Sequence, residues 1–87
     1  MRITDVSINM MNLEQSKLLA VASIVIDNEI AVHGIRIIDG SRGIFVAMPS
    51  KRNPDGTFTD IVHPTNSFAG ELIRNTILDA FNKLKEE

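Results

Sequence analysis

LLAVASIVI-DN-EIAVHGIRII, residues 18–38, is the stretch that decides the fold. Its first nine residues are nearly all apolar and β-branched towards their end, the composition of a buried strand. Asp27 and Asn28 tolerate positive φ, and the apolar pattern resumes at Ile30, Val32, Ile35, Ile37 and Ile38. That arrangement predicts two antiparallel strands joined by a two-residue hairpin turn.

Upstream, Ile3, Val6 and Ile8 alternate loosely with Thr4 and Ser7, which predicts an opening strand with one wetter face. Residues 9–17 are mostly polar and read as a loop. Downstream, the loop DGSRG ends the second hairpin strand, and Ile44-Phe45-Val46-Ala47-Met48 is a continuous apolar run halted by Pro49. Such a run fits a strand covered on both faces, in the middle of the sheet. Asn53-Pro54-Asp55-Gly56 places Asn, Pro and Gly where a type I turn wants its first, second and fourth residues, and a fifth strand follows over residues 58–63. Ser67 is the expected N-cap of a helix whose apolar stripe is Phe68, Leu72, Ile73, Ile77, Ala80, Phe81 and Leu84. Glu71 near its start and Lys83 and Lys85 near its end suit the macrodipole. The expectation is an α+β fold: about five mostly antiparallel strands within residues 1–64, then one C-terminal amphipathic helix over about 67–85, in a single domain spanning 1–87.

An 87-residue chain buries only about 60 to 65% of the surface its unfolded form exposes, so its core is small. One helix is about 10 to 12 Å across, whereas five strands span roughly 20 Å, so the helix leaves part of the sheet uncovered. With apolar residues on both sides of the central strands, a second copy of the chain is the expected cover, giving a homodimer. The chain has no cysteine and two histidines, which removes disulfides and leaves a poor zinc set. Its N-terminus lacks the charged and apolar regions of a signal peptide, and no apolar run approaches the roughly 20 residues of a membrane span. A soluble cytoplasmic protein is expected, with no membrane partner.

Nine Lys and Arg against eleven Asp and Glu give a net charge of -2, so no global positive field draws the chain to nucleic acid. Any such contact needs a local patch, and the candidate is Ser50-Lys51-Arg52, held between Pro49 and the turn at residues 53–56. One reading is a solvated loop; the other is a phosphate clamp on a braced turn, presented twice by a dimer and extended by Arg42 in the preceding loop. Arg42-Gly43-Ile44-Phe45-Val46 superficially matches an RNA-recognition motif, but Ile44 and Val46 stand where stacking aromatics are needed, and Phe45 is assigned to the core. His33 and His63 fall in predicted strands, with Asp60 three residues before His63, and read as structural residues. No catalytic residue, metal site or cofactor is expected. Without a Gly-x-Ser-x-Gly, P-loop or paired-carboxylate signature, an enzyme is not expected either.

The segments VHGIRIIDG, GIFVAMPSKR, PDG and DIVHPTNS, all between residues 32 and 67, resemble the stage V sporulation protein G (SpoVG) family. The resemblance extends over essentially the whole chain. It implies a small dimeric bacterial regulator associated with septation and spore cortex formation, similar to proteins that bind DNA and RNA directly. In non-sporulating relatives it implies a broader control of gene expression. Lys51 and Arg52 occupy the family's basic pair after the strand. Relatives commonly carry basic residues early in the last helix, where this chain has Gly70 and Leu72 and only Arg74 nearby. The expected nucleic-acid-binding residues are therefore Lys51, Arg52, Arg42 and Arg74. The rival reading is an interaction module that holds a protein of the division machinery on an apolar strand edge or helix face and needs neither cation.

Overall fold

Asp27 and Asn28 adopt φ of 53° and 55° and close the expected hairpin, with the Glu29 N–H donating to the Ile26 carbonyl at 2.9 Å. The structure is a computed structural model and describes residues 1–11 and 16–86. Strands β1 (Ile3–Met10), β2 (Leu18–Ile26), β3 (Ile30–Gly40) and β4 (Gly43–Ala47) form an antiparallel meander in the order β1-β2-β3-β4. Strands β5 (Ser50–Arg52) and β6 (Phe58–Asp60) form a separate two-stranded sheet, and helix α1 (Ser67–Lys85) ends the chain. The expected α+β class is the one observed, with six strands in place of five because Ser50, Lys51 and Arg52 pair with Phe58, Thr59 and Asp60.

The core lies between α1 and one face of the meander. Ala20, Ala22 and Ile24 of β2 and Val32, Ile35 and Ile37 of β3 meet Ile73, Ile77 and Phe81 of the helix, and all nine are buried. Each fully buried Ile or Phe contributes about 1.5 to 3 kcal/mol relative to exposure. Val32 and Ile35 are three residues apart, yet both face the helix. The register slips between their partners Ile24 and Ala22, and Gly34 takes a φ of 79° there. A glycine bulge therefore resets the alternation of β3, which only a residue without Cβ does at no steric cost.

The remaining expectations need four corrections. Strand β4 is an edge strand, paired with β3 alone among the described residues. Its continuous apolar run arises because Val46 packs against the core on the helix face while Phe45 and Ala47 line the open face. Phe45 is consequently not a core residue. The helix is capped by Asn66, not Ser67: Asn66 is extended, at φ -150° and ψ 164°, and its Oδ1 accepts from the Ala69 N–H at 2.8 Å. Of the predicted stripe, Ile73, Ile77 and Phe81 are buried, whereas Phe68 in the first turn stands 77% exposed.

Two smaller differences concern strand limits. Asn9 and Met10, expected in a loop, continue β1, and residues 12–15 of that expected loop lie outside the described residues. The fifth expected strand stops at Asp60, so His63 is not in a strand; its Nδ1 lies 3.0 Å from the Pro64 carbonyl oxygen. His33 is in β3 as expected, with Nδ1 2.9 Å from Ser23 Oγ. Among the described residues no helix is long and apolar enough to cross a membrane.

Candidate nucleic-acid interface

The β5–β6 hairpin is built by its turn. The Gly56 N–H donates to the Asn53 carbonyl at 3.0 Å, the bond of the β-turn predicted at residues 53–56, and the Asn53 N–H donates to the Thr57 carbonyl at 2.7 Å. Side chains then brace it. Asn53 Nδ2 donates to Thr57 Oγ1 at 3.0 Å and to Thr59 Oγ1 at 2.8 Å, while Thr57 donates to Asp55 Oδ1 from both its N–H and its hydroxyl, at 3.0 and 2.6 Å. Local polar bonds of this kind let a short hairpin hold its shape without a core of its own.

The two bonds from Thr57, its hydroxyl first, hold the Asp55 carboxyl below its ordinary value of 3.8. The folded chain therefore takes up this proton less readily than the unfolded one. The contribution to the turn is whole above about pH 4 and is lost as pH falls through the lowered value. A carbon-detected NMR titration of Asp55 should give a midpoint below 3.8, and Thr57→Val should move it back up. An unchanged midpoint in that variant would remove Thr57 as the cause.

Lys51 and Arg52 are both exposed, as expected, and they face opposite ways. They lie on a strand, not in a loop, and successive strand residues point to opposite faces. The register pairs Lys51 with Thr59 on one face, and Ser50 with Asp60 and Arg52 with Phe58 on the other. The sequence shows the adjacency of the two cations, and strand pairing sets them back to back.

The face that carries Ser50, Phe58 and Asp60 looks across an open cavity of about 400 Å³ to Arg36, Ile38 and Phe45 on the uncovered face of the meander. Arg36 Nη2 donates to Ser50 Oγ at 3.3 Å and ties the hairpin to the sheet. Of the other expected site residues, Arg42 sits in the two-residue turn between β3 and β4, at the opposite end of β4 from the start of the hairpin. Arg74 lies on α1 and lines a smaller cavity of about 130 Å³ with Met48, Pro64 and Gly70. The structure thus places Arg42, Arg74 and the hairpin cations on three different elements.

Arg36, Phe45, Phe58 and Asp60 were not among the residues expected from sequence. Arg36 did carry a signal, being a lone cation between Ile35, Ile37 and Ile38 in a strand that is otherwise core. Phe45 and Phe58 carried none, because strand pairing and edge position decide which way they face.

Fold and site together define a small α+β protein that carries two exposed cations and an exposed aromatic ring, Lys51, Arg52 and Phe58, on one hairpin beside a sheet edge. The family model described as SpoVG matches residues 1–83. Among curated proteins, the chain is 48% identical over 87 residues to the "Putative septation protein SpoVG" of Bacillus pumilus, covering 100% of this chain and 88% of the relative. It is 51% identical over 84 residues to the protein of the same name from Geobacillus thermodenitrificans, covering 97% and 86%. The Bacillus cytotoxicus protein of that name is 49% identical over 86 residues, covering 99% and 88%. The chain belongs to the SpoVG family.

Proposed function

We propose that this protein is a non-enzymatic homodimer that binds DNA or RNA through the cations of its β5–β6 hairpin and thereby influences septation, sporulation and gene expression. The observation that carries this reading is the hairpin itself. It holds Lys51 and Arg52 in the open on a frame fixed by its own hydrogen bonds, so little ordering entropy is lost when they meet phosphate. Septation enters from the names of the relatives, which refer to a cellular process and to no reaction. Binding of labelled duplex DNA and single-stranded RNA across a salt series tests the proposal, and absence of binding at low salt would sink it.

The dimer rests on exposed apolar surface. Among the described residues strand β4 presents an unpaired edge with Ile44 in the open, and Ile61 and Phe68 are 65% and 77% exposed. An apolar edge strand left unpaired is a hazard that a second copy removes by pairing with it. Sedimentation at micromolar concentration should report two 9.6 kDa chains. A single chain at that concentration would remove the dimer from the proposal. The same exposed side chains favour the rival reading, a module that binds a division protein, which becomes the better account if nucleic acid does not bind.

A further inference from the structure

The chain has four phenylalanines and no Trp or Tyr. Of the four, Phe81 alone is buried; Phe45 is 45% and Phe58 66% exposed, and both line the one cavity between the hairpin and the meander. Two aromatic rings left in water across a cavity from each other are unlike an ordinary protein surface, where exposed apolar groups are scattered singly. Charge completes the site. Arg36 and Asp60 line the same cavity, and Arg52, paired with Phe58, shares its hairpin face at the cavity's rim, so this surface carries two guanidiniums and one carboxylate in a chain whose net charge is -2.

We infer that this cavity is a nucleobase site: one base of a single strand stacks on Phe45 and Phe58, and Arg36 and Arg52 hold its flanking phosphates. The inference rests on the nucleic-acid reading above and narrows it to unpaired strands, because a base inside a duplex has both faces covered. Asp60, an acceptor, suits an exocyclic amino group on the base edge. The volume of about 400 Å³ falls within the roughly 300 to 1,000 Å³ typical of small-molecule sites. The ring of Phe45 is set in place by Gly40, where an added Cβ would lie 2.7 Å from Cε1 of the ring. Any side chain at position 40 would push the ring aside. A second copy of the chain fits this cavity less well, since it would bring the same excess of guanidiniums over carboxylates to the contact. A nucleotide brings an anion for the arginines and amino donors for the carboxylate.

The test uses the full chain with three probes: a fluorescein-labelled single strand of mixed sequence, the same strand made abasic, and its duplex. Phe58→Leu keeps an apolar side chain but removes the π-face, and its exposure at position 58 leaves the fold intact, which circular dichroism verifies. It should weaken binding of the intact strand by about 5- to 150-fold, the range for one base stacked on one aromatic ring, and leave the abasic strand unchanged. Phe58→Trp should bind as wild type, and the single tryptophan it introduces should be quenched by the intact strand only. Equal wild-type affinity for intact and abasic strands, or full affinity in Phe58→Leu, would overturn the base site while the phosphate reading stands. Failure to bind any of the three probes would instead remove the nucleic-acid reading itself. Loss of the dimer in Phe58→Leu, with affinity unchanged, would show the cavity to be a subunit interface and overturn the inference as well.

Discussion

Phe81→Ala is expected to lower the unfolding free energy by about 3 to 5 kcal/mol, the cost of truncating a fully buried phenylalanine. Phe81 is 1% exposed in the last third of α1, where it joins Ile73 and Ile77 against β2 and β3. The nearby strands leave it no room to be replaced by collapse, because Ile24, Ile35 and Ile37 are already fully buried and fixed by sheet pairing. A domain of this length has about 4 to 13 kcal/mol of stability in all, so the substitution removes a large fraction of it. Urea unfolding followed by circular dichroism measures the difference, and a thermal scan should show the midpoint falling by roughly 15 to 30 °C. Phe68→Ala, the same change at a ring 77% exposed, should shift stability by no more than about 0.5 kcal/mol. Equal effects at the two positions would mean that the helix does not pack through its Ile73, Ile77 and Phe81 face.

Nucleic-acid affinity should fall roughly 10²-fold between 50 and 200 mM salt if a dimer uses both hairpin cations twice, since about four phosphates are then neutralised. The double substitution Lys51→Ala with Arg52→Ala should remove the share of that salt dependence that the hairpin cations contribute, leaving only what Arg36 supplies. It should leave stability within about 0.5 kcal/mol, because both side chains are exposed. The opposite orientation of Lys51 and Arg52 sharpens this test. If only one face of the hairpin lies on the strand, about two phosphates are neutralised, the fall over the same salt range is near 10-fold, and one single substitution accounts for most of the loss. Binding that ignores salt, or that survives the double substitution at full strength, would discard the hairpin as the contact.

Local chemistry was legible in the sequence wherever a residue type dictates its own backbone. Asp27-Asn28 forces a tight hairpin, residues 53–56 form the turn their composition predicts, and the 3.6-residue spacing of Ile73, Ile77 and Phe81 fixes the helix and its buried face. Pairing between distant segments was less legible. Ser50, Lys51 and Arg52 look like a loop until Phe58, Thr59 and Asp60 supply partners, and only then does strand alternation separate the two cations. The apolar run of β4 reads equally as a central or an edge strand, because Val46 packs on the core while Phe45 is apolar on the face that lines the open cavity. Asn66 and Ser67 can each cap a helix by residue type, and the cap fell to Asn66, which is extended with its side chain in reach of the Ala69 N–H. At the site, the exposed cations were anticipated from residue type, whereas the cavity that joins the meander to the hairpin depends on contacts between distant positions, such as Arg36 with Ser50.

No residue of β5 or β6 belongs to the buried core, which β2, β3 and α1 build alone. The hairpin is therefore a passenger on the fold, tethered by Arg36 and shaped by its own turn. Substitutions there leave the packing that keeps the chain folded untouched, so the basic pair and the Pro54-Asp55-Gly56 turn, through which the chain resembles its family, are not residues that the core requires.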